Sequence, residues 1–187
     1  MAAPLLEATD LVAGYGKPVV GPLSFTVEPG EVVGLWGANG SGKSTLLRAI
    51  AGTARVFGGR LERRPGLAVA WLAQQPVRLE EMPFSGHDYL RHAGVRDTPP
   101  GRLAGWLDRR VDALSGGQFQ LLAVWSVVGG PADLVMLDEP TNNLDPEGEA
   151  MLAGILKQER GRRTVLLVSH ERGFLQEACS RVLEVGS

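Results

Sequence analysis

The chain has 187 residues and a single cysteine, Cys179, so no intramolecular disulfide can brace it and a reducing compartment suits it. It also has no apolar run approaching the ~20 residues that a bilayer-spanning helix needs. The longest such run, LLAVWSVVGG, falls well short. The N-terminal MAAPLLEATDL lacks the basic start and sustained apolar stretch of a signal peptide. Work at a membrane would therefore need another chain to supply the spanning part. Charge of one sign is also missing. The formal net charge is −2, and the basic clusters RLERR (60–64) and RGRR (160–163) read as solvated faces or helix ends. Nothing here requires nucleic acid or an acidic membrane as partner. Internal repeats, low-complexity tracts, long linkers and heptad arms are absent as well.

What is present is a hydrophobic fraction of 44%, enough for one domain with a real core. SFTV and EVVGLWG flank the turn tripeptide EPG, so residues 5–36 read as strands and turns. TLLRAIAG has helical spacing and ends on glycine. LAVAWLA (67–73) reads as a buried strand. Residues 76–111, richer in proline and glycine, read as an inserted helical lobe with pieces at about 85–93 and 102–110. A helix runs from LSGGQ to Val128, a strand through LVMLD, a helix through PEGEAMLAGILKQER and a strand through TVLLV. Apolar runs without alternation predict strands covered on both faces, hence an α/β fold with a mostly parallel sheet.

The strongest local pattern is GANGSGKST, Gly37 to Thr45, which matches G-x-x-x-x-G-K-S/T between a strand and a helix. In such a loop the backbone N–H groups at Gly37, Asn39, Gly40, Ser41 and Gly42 wrap phosphates at a positively polarised helix end. Lys43 then reaches the β and γ phosphates, Thr45 follows on the helix, and the Ser44 hydroxyl ligates Mg²⁺. Asp138 ends the strand LVMLD and Glu139 follows it. Adjacent carboxylates at a strand end repel one another, and they make sense if Asp138 faces a phosphate-bound metal while Glu139 acts as general base on a water. His170 and Gln74 each follow a strand, at the edge where ligands bind in open α/β sheets. Gln74 is a candidate for touching the metal or the attacking water. Tyr15, between glycines, either offers a π face to a base or packs as a loop residue. The second glycine pair, Gly116 and Gly117 of LSGGQ, sits ahead of another helix and marks a place where something must come close.

Taken together, GANGSGKST, Gln74, LSGGQ, LVMLDEP, TNNLD and the SH after TVLLV resemble, in order and approximate spacing, the nucleotide-binding subunit of ATP-binding-cassette (ABC) transporters, over nearly the whole chain. The resemblance implies a P-loop NTPase core with an N-terminal antiparallel β part and an inserted small helical lobe. It makes residues 1–187 one ATPase domain, with 1–75 and 112–187 as core. It implies hydrolysis of ATP with Mg²⁺. By it, Tyr15 stacks on adenine; Lys43, Ser44 and Thr45 serve phosphates and metal; and Gln74 senses the γ-phosphate. Asp138 organises Mg²⁺, Glu139 polarises water, and His170 contacts the γ-phosphate. Two cassettes would dimerise head to tail. Ser115, Gly116, Gly117 and Gln118 of one would close over ATP held by the other, with Asp145 at the seam. The implied partners are a membrane permease, a second cassette that is a copy of this chain, and a substrate-binding protein, with no nucleic acid. The implied location is cytoplasmic, on the inner face of the cell membrane.

The chain departs from the family pattern after LSGGQ. Leu121 stands where an arginine is expected, and Trp125–Ser126 replace a common Ala-Arg pair. For cargo, LAQQPVRLEEMPFSGHDYL and GQFQ resemble cassettes of zinc and manganese importers, so divalent metal ions are the expected cargo. Other readings stay open: a short cassette for another cargo such as a haem-related exporter, a soluble cassette ATPase acting on ribosomes or DNA, and a regulatory module without turnover.

Overall fold

The computed structural model describes residues 3–74 and 83–186, so much of the LAQQPVRLEEMP stretch lies outside the described residues. In chain order the elements are β1 (Leu6–Tyr15), β2 (Lys17–Val27), β3 (Val32–Trp36), α1 (Lys43–Ile50), β4 (Arg55–Arg63), β5 (Val69–Leu72), α2 (Gly86–His92), α3 (Gly116–Val128), β6 (Leu134–Asp138), α4 (Pro146–Glu159), β7 (Thr164–Val168), α5 (Arg172–Ala178) and β8 (Arg181–Glu184). Strands β2, β1 and β4 form an antiparallel sheet in that order, and β5-β6-β7-β3-β8 form a second sheet. Every pairing in the second sheet is parallel.

The parallel strands carry apolar residues on both faces because both faces are covered. Leu134, Met136, Leu166 and Val168 point to a cluster shared with α1 and the antiparallel sheet. Val135, Leu137, Val165 and Leu167 point to a cluster shared with α3, α4 and α5. Strand β5 corrects an expectation. It is shorter than LAVAWLA and lies at the sheet edge beside β6 alone, with Val69 37% exposed, so it is not a buried strand. Strand β4, with its Gly58-Gly59 pair and its arginines, carries no apolar run to announce it.

The segment 83–113 holds one regular helix, α2, closed at its start by a reciprocal capping box between Ser85 and Asp88. The helix expected over 102–110 is not continuous. A 3₁₀ helix spans Gly101–Trp106, and extended Arg110 separates it from a short 3₁₀ turn at Val111–Ala113. Helix α3 resolves the departures after LSGGQ: Leu121, Trp125 and Ser126 are all buried. Trp125 Nε1 donates to the Asp97 carbonyl at 3.4 Å, and Ser126 Oγ donates to the Ala123 carbonyl at 2.7 Å. These positions fill core between the sheet and the 83–113 segment. Cys179 is buried too, and burial pushes its thiol up to about 12, which leaves it inert as a nucleophile. No described helix is long and apolar enough to cross a membrane.

Candidate active site

The parallel pairing decides where the chemistry gathers. Leu35 of β3 and Asp138 of β6 both pair with Val168 of β7. The loops that follow these three strands, with Gly37–Gly42, Glu139 and His170, therefore leave the sheet from one edge. From these loops Asn39, Gly40, Gly42, Glu139 and His170 line a cavity of about 520 Å³ together with Lys43, Ser44, Thr45, Gln74 and Asn142, while Gly37 and Ser41 lie behind its wall. Sequence reasoning had picked most of these residues. It missed Val19 and Asn142, which also line the cavity. Val19 offers no signal beyond an apolar residue in a hairpin, while Asn142 is one of a pair of asparagines just after DEP.

The phosphate loop is shaped by what packs behind it. Gly42 precedes α1 at φ 93°, and a methyl group there would stand 2.6 Å from Val20 Cβ, so the β1–β2 hairpin excludes a side chain. Lys43 is buried, and its Nζ donates to the carbonyls of Gly37 at 2.7 Å and Ala38 at 2.9 Å. Its charge is thus held over the loop where triphosphate oxygens could take those bonds. The Ser44 hydroxyl donates to Asp138 Oδ1 at 3.1 Å. Burial of Asp138 pushes its carboxyl above the usual range, and adjacent Glu139 adds to this; the Ser44 hydrogen bond, Arg48 and Lys43 act the other way. A buried carboxylate touching a hydroxyl fits Mg²⁺, a hard cation that takes oxygen ligands. Among the described residues no cluster of three or more His, Cys, Asp or Glu side chains could hold a metal. The ion's remaining ligands would be phosphate oxygens and water.

Glu139 sits at φ 50°, a left-handed conformation that costs a non-glycine residue energy and that persists only where surrounding structure holds it. Part of that holding comes from α3, where buried Gln120 donates from Nε2 to the Pro140 carbonyl at 3.2 Å. The turn aims the carboxylate at His170. Glu139 Oε2 lies 2.9 Å from His170 Nδ1 and accepts the His170 backbone N–H at 3.4 Å. The two groups expected separately to be base and phosphate contact thus touch one another.

The sequence profile of the family described as "ABC transporter" matches residues 20–142, well over half of the chain. The chain belongs to the ABC transporter family. It is the ATP-binding and ATP-hydrolysing subunit of an ABC transporter, and ATP with Mg²⁺ is what this family uses. Its relatives include the zinc import ATP-binding protein ZnuC of Paracoccus denitrificans, 36% identical, with 96% of this chain matched to 75% of that one. ZnuC of Roseobacter denitrificans is 35% identical over 96% of this chain and 74% of its own. A solved ATP binding subunit of an ABC transporter superposes with a TM-score of 0.77 at 25% identity, covering 97% of this chain and 86% of the other.

The second glycine loop of this ABC subunit lies in a separate place. Ser115, Gly117 and Gln118 line a cavity of about 270 Å³ with Arg102, Trp106, Leu121, Asn143, Leu144, Asp145, Glu147, Gly148 and Met151, none of which borders the phosphate cavity. Within one chain, then, LSGGQ and the phosphate loop are not brought together. Ser115 caps α3, accepting from the Gln118 N–H at 3.2 Å, while Gln118 Oε1 accepts the Ser115 N–H at 3.0 Å. Asp145 caps α4 by accepting from the Gly148 N–H at 2.7 Å. Tyr15 borders neither cavity. It stands beside α1, where Arg48 Nη1 donates to its hydroxyl at 3.0 Å.

Proposed function

We propose that this subunit hydrolyses ATP in composite sites formed by two copies of the chain facing one another, and that it drives divalent metal import, zinc in particular, from the inner face of the membrane. The observation that carries the dimer reading is Gly116. It opens α3 with an ordinary φ, and a methyl group there would meet nothing within 4 Å. Neither conformation nor packing inside the chain asks for glycine. The open space at a helix N-terminus suits an anion brought by another molecule, and the γ-phosphate on a partner's phosphate loop is such an anion.

In this reading the loop from Gly37 to Thr45 holds the triphosphate, and Lys43 exchanges its bonds with the Gly37 and Ala38 carbonyls for phosphate oxygens. Ser44 and Asp138 hold Mg²⁺, which when bound neutralises charge on the β and γ phosphates. Glu139, oriented by His170, takes a proton from water as the water oxygen bonds to the γ-phosphorus and the bond to the ADP oxygen breaks. His170 and Gln74 face the γ-phosphate side of the cavity, and Tyr15 supports the base. Ser115, Gly116, Gly117 and Gln118 contribute from the opposite copy, with Asp145 at the seam. The lobe expected over 76–111, of which residues 83–111 are described, faces the permease, and a substrate-binding protein delivers the cargo.

Zinc as cargo rests on relatives that are named zinc import proteins at 36% and 35% identity, and on the likeness of GQFQ to metal-import cassettes. Two measurements test the proposal. Mg²⁺-dependent ATP turnover per subunit should climb with protein concentration, and a flat dependence would overturn the composite site. Zinc uptake by cells carrying this subunit and its permease should cease when Lys43 is replaced; unchanged uptake would overturn the cargo.

A further inference from the structure

Tyr15 occupies an exposed and loosely built position. It ends β1 at the tip of the β1–β2 hairpin, opposite Lys17, with Gly14 before it and Gly16 after it at φ 61°. The ring is 45% exposed, and a side chain so placed would sample several rotamers in water. One contact restrains it. Arg48 Nη1 donates to the hydroxyl at 3.0 Å, while the guanidinium carbon lies 5.8 Å from the ring centroid. The guanidinium thus holds the ring from its hydroxyl end, while the side chain keeps its exposure to solvent.

Arg48 is itself firmly carried. It lies on α1, five residues after Lys43, and its neighbours Leu46, Leu47, Ala49 and Ile50 are all buried. Its carbonyl accepts the N–H groups of Thr53 and Ala54 and the Thr53 hydroxyl, which ties the helix end to the following turn. The N-terminus of the same short helix is the floor of the phosphate loop. One rigid element therefore bears the phosphate site at one end and the restraint on the tyrosine near the other.

We propose that Arg48 is a positioning residue for the base of the bound nucleotide: through the Tyr15 hydroxyl it fixes the ring at a set distance from the phosphate loop, with a face free for the base to stack on. This rests on Tyr15 being the base platform. A platform ordered before binding spares the cost of immobilising a side chain during it. Arg48 contributes to nucleotide affinity without touching the nucleotide.

The test measures dissociation constants for MgATP and for inorganic tripolyphosphate, which carries phosphates and no base, together with kcat and Tm, on the whole chain. The variants are Tyr15→Ala, Tyr15→Phe, Arg48→Gln and the double variant Tyr15→Phe/Arg48→Gln. Tyr15→Phe keeps the ring and removes only the acceptor for Arg48. The expected result is a rise of about three- to tenfold in the MgATP constant for Tyr15→Phe and for Arg48→Gln. The double variant should bind MgATP no more weakly than either single one, and tripolyphosphate affinity in Arg48→Gln should stay near the starting value. Loss of tripolyphosphate affinity in Arg48→Gln would make Arg48 a charge for phosphates and overturn the proposal. Weak MgATP binding by Tyr15→Ala, with Tyr15→Phe and Arg48→Gln both normal, would also overturn it while leaving Tyr15 as the platform. Normal binding by Tyr15→Ala would remove the platform itself, and the role of Arg48 with it.

Discussion

Two glycine-rich loops each open a helix in this chain, and the molecule uses their glycines in opposite ways. At the phosphate loop the chain itself demands them. A methyl group on Gly37 would stand 2.2 Å from the Val185 carbonyl oxygen, and Gly42 combines a positive φ with the Val20 side chain pressed against it. At LSGGQ, Gly116 has neither constraint. The first loop is also surrounded by its chemistry, with Lys43, Ser44, Glu139 and His170 around one cavity. The second offers helix N-terminal donors, with a capping box already using Ser115 and Gln118. In the proposed reading the first loop holds the nucleotide among its own chemistry, and the second completes a site on another molecule.

The largest effect expected is on the first loop's side. Glu139→Gln removes the proton acceptor and should lower kcat by about 10³-fold, while an ATP-bound dimer accumulates on size-exclusion chromatography. Retained turnover would move the base elsewhere. Gly116→Ala sharpens the contrast most directly. Turnover should fall by about 10²-fold, because the added methyl group would occupy the open space at the helix start and keep the partner's phosphate from one aimed N–H donor, with Tm equal to or up to ~2 °C above the starting value, since alanine favours a helix more than glycine. Turnover unchanged by Gly116→Ala would erase the difference between the loops. Gly42→Ala should do the reverse to stability. The strained φ and the Val20 contact cost about 2 kcal/mol, or roughly 4–8 °C in Tm.

A smaller effect concerns Asp138. Its carboxyl is raised above its ordinary value of 3.8 by burial, so protonation favours the folded state. This group's contribution to stability is fully present below pH 3.8 and is lost as the pH rises through its elevated folded value. Asp138→Asn should therefore raise Tm slightly at neutral pH without Mg²⁺, as thermal melts would show, while abolishing Mg²⁺-dependent turnover. A lowered Tm would mean that the carboxylate is a structural acceptor first. The smallest effect belongs to the ion pair between Arg102 and Glu147, which spans the cavity beside LSGGQ with both side chains more than two-thirds exposed. Exposed pairs contribute little, and Glu147→Gln should leave Tm within error while urea melts superpose.

Much of this was legible from residues alone, for local reasons. GANGSGKST, LSGGQ and LVMLDEP are contiguous, and their meaning depends on neighbours a few positions away. The helix over PEGEAMLAGILKQE was legible because Pro146 and the acids near it suit a helix start. What escaped notice depended on distant partners. Strand β4 exists because β1 offers it a ladder, not because RVFGGRLER looks like a strand. Leu121 and Trp125 read as anomalies on a helix surface until the 83–113 segment was seen to bury them. Arg48 carries no signal of its own, since an arginine late in a helix usually faces solvent.

The sequence by itself determined the chemistry available: a phosphate-loop motif, a hydroxyl and a carboxylate suited to a metal, a second carboxylate suited to act as a base, and a second glycine pair at a helix start. These are properties of short segments, set by side-chain type and by backbone freedom at glycine. Only the tertiary structure decided which groups meet. Parallel pairing of β6, β7 and β3 carried residues 44, 138, 139 and 170 to one sheet edge. The same pairing left LSGGQ bordering another cavity, because α3 is held by the core on the sheet's other face.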